Sequence, residues 1–219
     1  MTRPSDELRV ELAATAARLI AEEGCDYGQA KRRAVHAVLG AGDRRGVMPE
    51  NSEVERELRR YLQLFESETH PRLLAALRAL AAATMERLAE FDPHLVGAVL
   101  NGTATRHSDI HLQLFVDSAK DVEVHLMNTG IEFDVDEGAP DERPAALERL
   151  SFVVPVPRIN GLPPQLRQVG VQLHVYARDA IRVAPRHRDR ADKLDMHPVA
   201  AAGRANLGAL RRLIEDTGS

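Results

Sequence analysis

Two runs of strict alternation constrain this chain most. Residues 109–116 put Ile110, Leu112, Leu114 and Val116 on one side and Asp109, His111 and Gln113 on the other. Residues 170–177 repeat the pattern, with Val171, Leu173 and Val175 opposite Gln172, His174 and Tyr176. Successive side chains of a strand point to opposite faces, so a period of two predicts strands with one buried face and one polar face. The run Leu95-Val-Gly-Ala-Val-Leu100 is short and continuously apolar, which predicts a buried strand just upstream. Ile131 to Val135 reads as an edge strand. Residues 150–159 read as another, held to an edge or bulge by Pro155 and Pro157, because proline cannot donate to a ladder.

The first ninety residues carry a different period. Leu8, Leu12, Ala16, Leu19 and Ile20 recur at helical spacing over 6–23, and Gly24 ends that helix. A second helix begins at Asp26, with Gln29 three residues on, and stops at Gly40. Val54, Leu58, Tyr61, Leu62 and Phe65 form the stripe of a third helix over 52–66. His70-Pro71 opens a fourth, which runs to about Phe91 with Leu73, Leu77, Leu80, Thr84 and Leu88 inward. Ser118 and Asp121 start a short helix reaching Asn128 or Gly130, and a last helix covers about 199–215. The expected architecture is α/β of the α+β kind, with a helical region at 1–92, a small mixed-sheet domain at 93–178, and an Arg- and His-rich tail with a C-terminal helix at 179–219.

Composition narrows the setting. Apolar residues make up 44% of the 219, enough for a packed core, and aromatics only 4%, so that core is built of Leu, Val and Ala. Cys25 is the one cysteine, which excludes an internal disulfide and a cysteine-based zinc site and fits a reducing compartment. The charged opening Arg3-Pro-Ser-Asp-Glu7 does not read as a signal peptide, and no stretch has the roughly 18 apolar residues of a membrane span, so a cytoplasmic protein with no membrane partner is expected. The net charge of −4 carries no global basic field for nucleic acid. Three lysines against 26 arginines reflect genome bias, and the basic clusters Lys31-Arg32-Arg33 and Arg186–Arg190 read as solvated surfaces.

The chemistry-bearing stretch runs from Val99-Leu100-Asn101-Gly102-Thr103 to Ser108-Asp109-Ile110-His111-Leu112. A strand ends in a turn of glycine and hydroxyl, and the next strand opens with polar and acidic residues on one face. Over residues 95–177 this resembles the nucleotidyltransferase superfamily, the polymerase-beta-like fold. The family signature is a glycine-rich turn, a short spacer, two carboxylates one residue apart on the following strand, and a third carboxylate from a later strand. Such carboxylates hold two divalent cations that clamp the attacking and leaving oxygens. Matched residue by residue, the resemblance gives Gly102, Thr103 and Ser108 nucleotide-binding roles and Asp109 and His111 the catalytic positions.

The sequence departs from that pattern at two of the three acids. His111 occupies the second position, and Val171-Gln-Leu-His-Val175 holds no carboxylate. Imidazole is a poor magnesium ligand. The resemblance therefore implies an altered or inactive member that binds a nucleotide, a nucleic acid end or a protein partner. An active transferase moving a nucleoside monophosphate with magnesium or manganese is the alternative. A third reading takes Asp109, His111 and His174 as a carboxylate and two-histidine set for zinc, iron or manganese, with His107 and His125 assisting. Against all three stands the plain reading that Asp109, His111, Gln172 and His174 are the solvent face of a one-sided sheet. The chain holds no Walker-type glycine loop, and Cys25 suits a small buried residue better than a nucleophile.

Overall fold

The computed structural model describes residues 4–40, 48–136, 145–158, 162–183 and 196–218. Eight α-helices and a six-stranded mixed sheet are found among them. The chain divides into two compact units. One takes the residues up to Leu73 together with Thr103–His107; the other takes Leu74–Gly102 and the residues from Ser108 onward. The division falls within the fourth helix, whereas the sequence suggested a break after residue 92.

The helical unit is built on α1 (Pro4–Glu23), α2 (Tyr27–Leu39) and α3 (Asn51–Phe65). Asp26 caps α2 by accepting from the Gln29 amide at 2.8 Å, and Gly40 ends it with φ 54°. The Glu53 side chain returns to the Glu50 amide at 2.7 Å and secures the start of α3. Leu12, Ala16, Ala17, Ala30, Ala34, Val54, Leu58 and Leu62 are buried in its core, where the alanines permit close approach of the helices. Phe65 departs from the expected stripe. As the last residue of α3 it is 71% exposed and rests on the Tyr61 ring.

The sheet unit runs in the order β3-β4-β5-β2-β1-β6. Its strands are β1 (His94–Val96), β2 (Ile110–Val116), β3 (Asp134–Asp136), β4 (Glu148–Pro155), β5 (Gln168–Ala177) and β6 (Ala205–Asn206). The central β2/β5 pair is parallel, and all other pairs are antiparallel. A parallel pair needs a crossover, supplied here by α6 (Ala119–Asn128) with β3 and β4. Leu112, Leu114, Leu150, Leu173 and Val175 are fully buried on one face, with Leu77 and Met85 of α4 (His70–Arg87) and Leu126 of α6 also in the core.

Three expectations change. The apolar run is a strand only to Val96; Gly97 then takes φ 73° and the chain turns into α5 (Gly97–Asn101). A left-handed residue suits glycine, and it ends the strand four residues before the sequence suggested. β4 lies inside the sheet rather than at its edge. β3 covers it only from Arg149 to Ser151, so among the described residues Pro155 has no ladder neighbour on that side, where its missing N–H is tolerated. The final helix is divided into α7 (Pro198–Ala201), β6 and α8 (Leu207–Thr217), with the Asn206 side chain capping α8. Most of the acidic, proline-containing loop that the sequence places at 136–146 and the Arg186–Arg190 run lie outside the described residues. No helix among the described residues is long and apolar enough to cross a membrane.

Candidate functional site

The register of β2 against β5 sets His111 opposite Gln172 and Gln113 opposite His174. β4 extends the row, with Ser151 opposite Gln172 and Arg149 opposite His174. Alternation then places Asp109, His111, Gln172 and His174 on one face, which is half-buried while the opposite face is fully buried. The four sequence-selected polar residues are thus brought together.

They meet as two hydrogen-bonded pairs between the strands. Gln172 Nε2 donates to Asp109 Oδ2 at 3.1 Å. His111 Nδ1 and His174 Nε2 are 3.1 Å apart, with the rings stacked at 29°. One ring nitrogen donates and the other accepts, an arrangement open to two neutral imidazoles. Burial pushes the His111 pKa down, and the nearby Asp109 charge partly opposes that. His111 is therefore neutral at pH 7, and Asp109 is the one carboxylate among these four groups.

Asp109, His111 and His174 are not gathered as a metal set. Among the described residues no group of three or more His, Cys, Asp or Glu is placed to hold a metal ion. The geometry has a simple reason: the Asp109 carboxylate turns to Gln172, while the imidazoles turn to each other. His125 sits on α6 beside Glu90 and Phe91, and His107 belongs to the helical unit, where it approaches the Glu22 carbonyl.

Gly102 and Thr103 lie at the C-terminal end of α5 rather than at the end of a strand. Gly102 ends α5 in the left-handed region, with φ 85°, and its open side faces Leu74 and Arg78. Thr103 is fully buried, so its hydroxyl is withheld from solvent; Ser108 is half-buried just before β2. The glycine that ends the strand beside the polar face is Gly97. It is exposed, it follows Val96, which pairs with His111, and a Cβ on it would lie 3.8 Å from the His111 side chain. A buried arginine holds that corner. Arg78 donates from Nε to the Val99 carbonyl and from Nη2 to the Leu100 carbonyl, both at 3.2 Å, and from Nη1 to Thr217 Oγ1. Two carbonyls at the end of α5 thereby meet a cation, as the helix dipole favours. With little water around it, the guanidinium pKa falls to about 10.

The fold and face together define an α+β protein with a one-sided polar sheet. Comparison with known proteins adds no relative: no family model, curated protein or solved structure matches this chain significantly.

Proposed function

We propose that the β2/β5 face is a nucleotidyltransferase-like binding face that takes a nucleotide without ordinary two-cation transfer. The observation supporting it is the pairing of Gln172 with Asp109 and of His111 with His174 across neighbouring strands. Two divalent cations need several convergent carboxylates, and here one carboxylate is matched by an amide and a pair of imidazoles. The exposed Gly97, next to His111 at the end of β1, leaves the main chain open to a phosphate as the glycine of such a turn does. Without cations, transfer loses the charge neutralisation that its transition state requires, and each 1.36 kcal/mol lost slows the step about tenfold.

The test uses pure full-length protein with each labelled nucleoside triphosphate, magnesium or manganese, and cellular RNA and protein as acceptors. Binding without label transfer is expected, weakened when Gly97 is replaced by a bulky residue. Transfer that disappears in Asp109→Ala overturns the proposal and establishes an active enzyme. Replacing His111 by Asp and Gln172 by Glu supplies acids at 109, 111 and 172 on one face. That double variant is expected to bind Mn2+, read by electron paramagnetic resonance, where the parent chain does not.

A further inference from the structure

Gly170 stands one residue before the first β2/β5 rung, on the side of β5 that also carries Gln172 and His174. A Cβ added there would overlap Asp109 Oδ1 and lie 2.7 Å from Asp109 Cγ and 3.0 Å from Oδ2. Real Cβ atoms do not approach other atoms so closely, so with a side chain at 170 the Asp109 side chain must move. The carboxylate sits at the end of a two-torsion side chain already held by Gln172 Nε2, and the glycine is part of the ladder, its β4 partner being Val153. Gly170 is not in the left-handed region, so its backbone does not require glycine. What requires glycine is the close approach of the carboxylate to the main chain.

We infer that Gly170 is a positioning residue of the polar face, its bare α-carbon being the seat on which the Asp109 carboxylate lies within reach of Gln172. The role in ligand binding rests on the reading of that face given above; the seating itself does not. A side chain at 170 turns the Asp109 side chain to another rotamer. That breaks the Gln172 hydrogen bond and moves the only carboxylate of the four polar groups. The residue acts through Asp109 and contacts no ligand in this scheme.

Two readouts separate the seating from the function. The first needs no ligand: the Gln172 side-chain amide is followed by 15N–1H correlation spectra in the full chain. Gly170→Ala is expected to shift the Gln172 amide signals to the positions found in Asp109→Ala. The double variant should show no further shift. Unchanged Gln172 signals in a folded Gly170→Ala protein overturn the inference. Should Gly170→Ala not fold, adding Asp109→Ala is expected to restore folding, since the overlapping atoms are then gone; failure of that rescue also overturns it. The second readout is the affinity for ATP, measured without metal. Gly170→Ala and Asp109→Ala are expected to weaken it by similar factors, with no further loss in the double variant. If the amide moves while ATP affinity holds in every variant, Gly170 seats Asp109 but does not govern binding, and the ligand part is overturned. If the parent chain does not bind ATP, it is the reading of the face that fails, and the amide signals still decide the seating.

Discussion

The helical unit and the sheet unit both carry surface ion pairs, but the sheet unit also holds polar side chains inside the fold. In the helical unit, charges pair with opposite charges at or near the surface: Arg33 with Glu23 at 2.7 Å is exposed, and Arg9 with Glu53 at 2.8 Å and Arg59 with Glu55 at 3.1 Å are part-buried. Such pairs contribute little and leave a core of Leu, Val and Ala to hold the fold. In the sheet unit, besides surface pairs such as Arg178 with Asp117 and Arg211 with Glu86, an amide and two imidazoles pair beside the Asp109 carboxylate on a half-buried face, and a guanidinium is buried under α5. The first pattern needs only solubility. The second withdraws polar atoms from water, which costs free energy unless partners are fixed, and is kept where geometry matters more than stability.

The largest effect should come from the helical core. Leu58→Ala removes a side chain that is 1% exposed and should destabilise by about 2–5 kcal/mol, read as a lower denaturant midpoint. An unchanged midpoint would mean that the α3 stripe is not core and that the two units differ less than described. The buried cation comes next. Arg78→Leu keeps the apolar volume but strands the Val99 and Leu100 carbonyls, with an expected loss of about 1–3 kcal/mol. A neutral result would place Arg78 with the surface charges.

The smallest effect is a pH dependence. His111 has its pKa lowered from 6.5 by burial, so the unfolded chain binds this proton more readily than the folded one. Stability then rises with pH where the two forms differ. The contribution is complete above 6.5 and is lost as pH falls from there towards the folded value. One proton sets a limit of about 1.4 kcal/mol per pH unit. Replacing His111 by Gln should flatten the profile on the acid side of neutrality in equilibrium unfolding, and a parallel profile would show that the imidazole is not buried in solution.

Strands β2 and β5 were legible because alternation is a strong local signal, and the same signal put Asp109, His111, Gln172 and His174 on one face. Which strand neighbours which is a long-range property, so neither the two side-chain pairs nor Arg149 opposite His174 was readable. The run 95–100 misled for a local reason. A short apolar segment suits a buried strand or a buried helix equally well, and only the left-handed Gly97 divides it. The same boundary leaves Gly97 beside His111, while Gly102 lies at the other end of α5. Gly170 gave no signal at all, because its significance lies in an Asp sixty-one positions away.

The chain's route through its two units has one more consequence. It leaves the helical unit inside α4, returns for Thr103–His107, and leaves again before Asp109. In that returning segment Arg106 donates to the Glu22 carbonyl at 3.1 Å, and His70 Nε2 lies 3.1 Å from the Ala104 carbonyl. The N-terminal helices are therefore no detachable appendage. A truncation that removed them would strip the Glu22 carbonyl from Arg106 and His107 just ahead of β2. Heredity meets the same restriction as the engineer: these helices cannot be exchanged for another module by a single splice.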